Sequence, residues 1–134
     1  MKYMLDTNIC IYLIKQQPPQ VLKKFVTLSF GDVGMSSITV AELQYGVQKS
    51  QHRGQNRQAL EQFLIPLTIA DFDHKAAVVY GVIRAALERQ GTPIGSLDTL
   101  IAAHALSLDV TLVTNNVREF SRVPDLKLVN WAER

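Results

Sequence analysis

Three acidic residues recur at one kind of position along the chain. Asp6 directly follows the N-terminal apolar run, while Glu42 and Asp98 fall in the first turns of two predicted helices. An amide, Asn116, follows another apolar run near the end of the chain. Carboxylates that are brought together raise one another's pKa and destabilise a fold unless a cation neutralises them. If these side chains meet, the sequence predicts a site for a divalent cation.

Magnesium is the cation that this set of oxygen ligands favours. It binds hard oxygen ligands and is commonly held by one or two carboxylates, several waters and substrate phosphates. No group of Cys and His residues has the spacing of a zinc site. A magnesium site of this kind can hydrolyse a phosphodiester, because the metal activates a water, holds the phosphate and offsets charge on the leaving oxygen. A second metal can arrive with the substrate.

The residue types suggest a division of roles within this site. We expect Asp6 and Asp98 to be the direct metal ligands. Glu42 is expected to serve a second metal or the outer shell, where it can also orient the water. Asn116 is expected to be a neutral hydrogen-bonding member of the shell. Candidates for further outer-shell positions come from the residues beside these, namely Thr7, Asn8, Thr114 and Asn115.

Each acid also has a purely structural interpretation. Asp6 can cap the helix that follows it. Glu42 completes the T-x-x-E spacing of a capping box that starts at Thr39. Asp98, behind a candidate cap at Ser96, interacts favourably with the helix dipole. These alternatives predict acids that stabilise helices without binding a metal.

The most basic stretch of the chain runs from Lys49 to Arg57. It is interpreted as a loop that is either simply solvated or contacts RNA phosphates through Arg53 and Arg57. His104 lies six residues after Asp98, about 240° around a helix, so the two cannot share a metal on one face. His104 is therefore assigned to the core or its flank.

The hydrophobic periodicity predicts strands that alternate with helices. This alternation is typical of an α/β sandwich with a mainly parallel sheet, and the carboxyl ends of such strands are where ligands bind. The predicted strands lie at residues 1–5, 34–38, 65–69 (an edge strand or connector), 110–113 and 126–129. The predicted helices lie at residues 9–15, 19–29, 39–47, 55–64, 74–90, 96–106 and 118–120.

Size and composition fit one globular domain over residues 1–134. The chain is 47% hydrophobic and 19% charged, with a net charge of +2 and a pI near 8.8. No apolar run approaches the roughly 20 residues that cross a bilayer, and no secretion signal is visible. A single cysteine, Cys10, lies in an apolar run and is expected to be a buried structural thiol. We therefore expect a cytoplasmic protein without a membrane partner.

Four stretches together resemble the PIN-domain ribonucleases, and more narrowly the VapC-type toxins of bacterial type II toxin-antitoxin pairs. They come in family order and span nearly the whole chain. The matching stretches are Met4–Asn8, Ser37–Gly46, Gly95–Ala105 and Val113–Pro124. Many PIN domains carry a fourth acid where this chain has Asn116, and Asn115 is an alternative alignment for that position.

The resemblance implies a single PIN-like domain with endonucleolytic activity on RNA, often a structured RNA such as tRNA. It implies dependence on Mg²⁺, with Mn²⁺ as a possible substitute. It further implies a homodimer, and neutralisation by a VapB-type antitoxin whose tail enters the active-site groove in a higher assembly.

Two other classes of function compete with this one. A phosphatase of the haloacid-dehalogenase type would use the strand-end aspartate as a nucleophile. Such enzymes need a second acid two residues later, where this chain has Asn8. A degenerate PIN domain or a receiver-like binding module would leave the acids as helix caps.

Overall fold

The structure, a computed structural model, describes residues 1–133. Its strands are β1 (Tyr3–Leu5), β2 (Val33–Ser36), β3 (Thr68–Ala70), β4 (Thr111–Val113) and β5 (Leu128–Val129). Its helices are α1 (Thr7–Lys15), α2 (Pro19–Phe25), α3 (Ser37–Lys49), α4 (Arg53–Leu64), α5 (His74–Arg89), α6 (Ser96–Leu108) and α7 (Val117–Phe120). The strands form one sheet in the order β3-β2-β1-β4-β5, and every pair is parallel. The predicted parallel sheet is confirmed.

The central strand β1 divides the protein into two apolar cores. Met4 and Leu5 are both fully buried, and successive strand residues face opposite sides of a sheet. Leu5 packs with residues of α1 to α4, including Ile9 and Leu43. Met4 packs with residues of α5, α6 and α7, including Ile101. Burial of each such side chain contributes about 1.5–3 kcal/mol, so this alternation holds a helical layer on each face.

One glycine is required where β2 meets the edge strand β3. Gly34 pairs with Thr68, and a Cβ atom added to Gly34 would collide with the main-chain oxygen of Thr68. Any larger residue would push β3 away from β2. Because β2 leads directly into α3, this close pairing also fixes where α3 starts.

Several predicted boundaries are wrong. α2 ends at Phe25, not near residue 29, because the chain must turn at Gly31, whose φ is +90°, to enter β2. α3 extends to Lys49 and α4 begins at Arg53. The basic stretch is therefore mostly helical, and its loop is reduced to residues 50–52. No helix in residues 1–133 combines the length and the apolar character needed to cross a membrane.

Candidate active site

Asp6 lies at the carboxyl end of β1 and has two kinds of partner. Its Oδ1 accepts a hydrogen bond from the main-chain N of Ile9 at 2.9 Å, which caps α1. Its carboxyl group is also hydrogen-bonded by the side chain of Thr114. Only 4% of Asp6 is exposed, and this burial raises its pKa, an effect that the two hydrogen bonds oppose. The capping interpretation of Asp6 is correct, but one carboxylate can cap a helix and still face the site.

Glu42 makes a contact between helices and does not form the expected capping box. α3 begins at Ser37, and its cap is Ser36, whose Oγ accepts a hydrogen bond from Ile38 N at 3.0 Å. Thr39 consequently lies inside the helix. Glu42 Oε1 instead accepts a hydrogen bond from Thr7 Oγ1 at 2.7 Å. The capping-box interpretation is therefore wrong, and Thr7 of α1 orients the Glu42 carboxylate.

Asp98 lies among carboxyl groups from three other parts of the chain. It falls in the first turn of α6, as predicted, although the cap is Gly95 and not Ser96. Partial burial raises its pKa to about 7, together with the negative charges of Glu119, Glu42 and Asp6 and a hydrogen bond to the Glu119 carboxyl. The three predicted acids therefore share one electrostatic environment, and Glu119 joins them.

Glu119 is a further candidate site residue, and the sequence alone did not indicate it. Its Oε1 accepts a hydrogen bond from Gly95 N at 2.9 Å, at the start of the helix that carries Asp98. Its Oε2 accepts a hydrogen bond from Asn116 Nδ2. Glu119 lies in the first turn of a helix that follows a strand, which is the criterion that identified Glu42; Asp98 was identified in the first turn of a helix that follows a turn-rich break. Applying that criterion to the short helix α7 would have found it.

The two asparagines after β4 point to different neighbours. Asn116 contacts Glu119, and its main-chain N donates to Thr114 Oγ1 at 2.9 Å. Asn115 Nδ2 donates to the hydroxyl of Tyr12 at 2.7 Å. Asn116 is thus linked to the acidic group through both Glu119 and Thr114, whereas Asn115 is linked to α1.

The remaining predicted residues lie outside this group. Asn8 is exposed on the first turn of α1 and makes none of the side-chain hydrogen bonds found in residues 1–133. Arg53 and Arg57 are exposed one turn apart on α4, so they can face the same way. His104 is buried, as expected, and 1% of it is exposed. Cys10 is a fully buried thiol whose pKa is raised well above its usual value by burial.

The acids suit an open site, in which water or phosphate completes the shell of a divalent cation, better than a site made by protein ligands alone. Within residues 1–133, no three His, Cys, Asp or Glu side chains are arranged so that they could hold an ion by themselves. Magnesium commonly needs only one or two protein carboxylates, with water or phosphate completing its shell. Asp6 and Asp98 offer that number, and a cation between them would relieve the repulsion that raises the pKa of Asp98.

An apolar groove of about 350 Å³ adjoins the acidic group. Thr7 and Glu42 lie at its polar end, so it is continuous with the candidate active site. Its other lining residues come from α1, α3 and α4 or their ends, namely Ile11, Ile14, Lys15, Leu43, Gly46, Val47, Ser50, Asn56, Ala59 and Leu60.

Comparison with known proteins gives a consistent result. Residues 3–126 match the family model of the PIN domain. The chain is 50% identical over 131 residues to ribonuclease VapC2 of Haemophilus influenzae, covering 98% of each chain. It is 46% identical over 132 residues to the tRNA(fMet)-specific endonuclease VapC of Shigella flexneri, covering 98% of this chain and 99% of that one. A crystal structure of VapBC2 from Rickettsia felis, bound to a promoter DNA fragment, matches with a TM-score of 0.92 and 47% identity, covering 98% of this chain and 99% of that chain.

The chain therefore belongs to the PIN-domain family, in the branch of the VapC ribonucleases. This membership confirms the resemblance that the four sequence stretches indicated. It rejects the haloacid-dehalogenase and receiver-like alternatives, which are different folds. Nucleases of the PIN family generally depend on a divalent metal ion.

Proposed function

We propose that residues 1–134 act as a single PIN domain that cleaves RNA endonucleolytically with Mg²⁺, for which Mn²⁺ can substitute. One observation carries this proposal. Burial raises the pKa of Asp98, and the negative charges of Glu119, Glu42 and Asp6, from three other parts of the chain, raise it further. Such repulsion destabilises the fold, and it is relieved when a divalent cation binds.

The proposed roles follow from the contacts of each side chain. Asp6 and Asp98 hold the metal, which supplies an activated water and neutralises charge on the scissile phosphate. Glu42, fixed by Thr7, accepts a hydrogen bond from the attacking water and orients it. The water oxygen attacks phosphorus, one water proton passes to a carboxylate, and the bond from phosphorus to the leaving sugar oxygen breaks. That oxygen takes up a proton from solvent and leaves as a hydroxyl group.

The fourth polar position is assigned to Glu119 together with Asn116. Glu119 is hydrogen-bonded to Asp98, to Gly95 N and to Asn116. Asn116 is a neutral donor that orients Glu119, and its own main-chain N is held by Thr114 Oγ1. Asn115 holds α1 in place through its hydrogen bond to Tyr12.

A structured RNA such as tRNA is the proposed substrate. This proposal is supported by the relative from Shigella flexneri, which is a tRNA(fMet)-specific endonuclease and is 46% identical to this chain. Arg53 and Arg57 are proposed to contact RNA phosphates from α4, which packs against the helix that carries Glu42. RNA is a cytoplasmic substrate, so we place the activity in the cytoplasm.

A VapB-type antitoxin is the proposed protein partner. Its apolar segment would occupy the groove between α1, α3 and α4 and reach the acids at the polar end, where Thr7 and Glu42 lie. The related structures from Rickettsia felis and Salmonella typhimurium are VapBC complexes, which supports this assignment. Occupation of the groove would block the approach of RNA.

A homodimer is the proposed state of the toxin, with a higher assembly when antitoxin binds. Val78 and Val82 are 55% and 65% exposed one turn apart on α5. They form an apolar stripe on the face of α5 away from the core. A second copy of the chain would cover this stripe.

The experiment that tests the activity is cleavage of an RNA pool that includes tRNA, with magnesium or with a chelator. We expect cleavage only with magnesium, and a loss of at least about 100-fold in Asp6→Asn and in Asp98→Asn. Asp6→Asn keeps an oxygen that can cap α1, so it should stay folded. Asp109→Asn is the matched control, because Asp109 is exposed and has a left-handed φ of +54° that asparagine tolerates.

The opposite result would support a competing function, that of a PIN domain without catalytic activity. If the folded wild-type protein cuts no RNA at any magnesium concentration, the chain is a catalytically degenerate PIN domain that only binds partners. If Asp6→Asn and Asp98→Asn cut as well as the wild type, the metal assignment is wrong.

A further inference from the structure

His104 joins the two helices that carry Glu42 and Asp98. It lies in the middle of α6, six residues after Asp98, and is almost fully buried. Its Nδ1 is 2.7 Å from the Oγ of Ser36. Ser36 is fully buried and caps α3, the helix of Glu42. The contact links residues 68 positions apart in the sequence.

The other side of the imidazole contacts the connection between β3 and α5. The ring is hydrogen-bonded to the main chain of Asp71. The Phe72 ring packs edge-on against it, with ring centroids 5.3 Å apart. Phe72 N in turn donates to Ser37 Oγ at 3.0 Å. Three segments, the start of α3, the middle of α6 and the connection before α5, therefore meet at His104.

One tautomer satisfies all of these hydrogen bonds. Ser36 Oγ accepts from Ile38 N, so its hydroxyl hydrogen is available to donate to His104 Nδ1. Nε2–H is then the group left to interact with the Asp71 main chain. Burial lowers the pKa of His104, although the charges of Asp71 and Asp73 oppose this, and the neutral ring fits both partners.

We propose that His104 is a positioning residue that fixes the start of α3 against α6, and thereby holds Glu42 and Asp98 at the separation that the metal site needs. The inference rests on the proposed nuclease function. Apolar contact between helices is non-directional and tolerates sliding, whereas a hydrogen bond between buried groups constrains both distance and angle. Glu42 and Asp98 each lie within two turns of the Ser36–His104 bond, so a small pivot at this point moves their carboxylates apart.

Two substitutions of His104 each retain the hydrogen bond on only one side of the imidazole ring. His104→Gln places an amide near the position of Nε2 and keeps the bond to Asp71, but it loses Ser36. His104→Asn places an amide near the position of Nδ1 and keeps the bond to Ser36. Ser107→Ala is the matched control, because Ser107 is a buried serine of the same helix whose hydroxyl donates only within that helix, to His104 O at 2.8 Å.

The experiment measures Mn²⁺ affinity by electron paramagnetic resonance alongside kcat and KM for RNA. We expect His104→Gln to weaken Mn²⁺ binding and lower kcat by about 10-fold each, with KM within about twofold of wild type. His104→Asn and Ser107→Ala should retain wild-type values. Ser36→Ala should lose at least as much as His104→Gln, because it also removes the cap of α3. Adding His104→Gln to Ser36→Ala should cause no further loss, because the Ser36–His104 bond is already absent.

The outcomes distinguish this inference from the proposed function. If the wild type neither binds Mn²⁺ nor cleaves RNA, the proposed function fails. If the wild type does both and folded His104→Gln and Ser36→Ala are unchanged, the positioning role is overturned. If His104→Gln is unfolded, Ser36→Ala provides the same test from the other side of the bond. Equal losses in His104→Asn, Ser107→Ala and His104→Gln would also overturn it, because they would indicate general loosening of α6.

Discussion

Replacing Asp98 with asparagine should change how stability depends on pH. The pKa of Asp98 is raised from 3.8 to about 7 in the folded protein. Between these values the unfolded chain has released the proton while the folded protein still holds it, so stability falls as pH rises from about 4 to 7. A pKa difference of this size corresponds to about 4 kcal/mol. Asp98 is only partly buried, and screening by solvent reduces the effect to about 1–2 kcal/mol.

The assay is urea unfolding of wild type and Asp98→Asn at several pH values between 4 and 8, without divalent ions. We expect the variant to gain about 1–2 kcal/mol relative to wild type across this range, because only the wild type has the titrating group. Saturating magnesium should remove most of that gain by stabilising wild type alone. A stability difference that does not change with pH would refute the proposed repulsion at Asp98.

Three further predictions concern the partners. Gly46 lines the groove and has open space where a Cβ would stand, so Gly46→Phe should keep ribonuclease activity but lose inhibition by the antitoxin. Gly54→Phe, outside the groove, should keep both the activity and the inhibition. Normal inhibition of Gly46→Phe would show that the antitoxin binds elsewhere. Replacing Arg53 and Arg57 with alanine should weaken RNA binding uniformly and flatten its salt dependence by about two phosphate contacts, and an unchanged salt slope would remove α4 from the RNA surface. Val82→Glu should convert the dimer to a monomer in size-exclusion chromatography with light scattering, and a persistent dimer would exclude the α5 stripe.

The positions of Asp6 and Asp98 could be predicted from two different local patterns: Asp6 ends a buried apolar strand, whereas Asp98 falls in the first turn of a helix that follows a turn-rich break. A buried parallel strand has a continuous apolar sequence, and the polar residue that ends it must lie at the carboxyl edge of the sheet. The same reasoning placed Glu42 correctly but explained its local contacts wrongly. Ser36, Ser37 and Thr39 can each cap a helix, and the choice among them depends on where β2 stops pairing with β1 and β3.

Contacts between residues that are far apart in the sequence could not be predicted from it. Burial of His104 was predictable from its apolar neighbours, but its partner Ser36 is brought to it only by the assembled sheet and helices. Glu119 lies on a helix of four residues, too short for periodicity to draw attention to it. Its partner Asn116 is local, but Gly95 lies 24 positions away in the sequence and reaches it only in the folded protein.

The central claim is that Asp6 and Asp98, from distant parts of the chain, bind one divalent ion. Isothermal titration calorimetry of Mg²⁺ with Asp6→Asn, Asp98→Asn and the double variant tests it directly. We expect each single variant to lose the binding isotherm of the wild type and the double variant to lose nothing further, because the two carboxylates serve the same ion. Wild-type magnesium affinity in either single variant would contradict it.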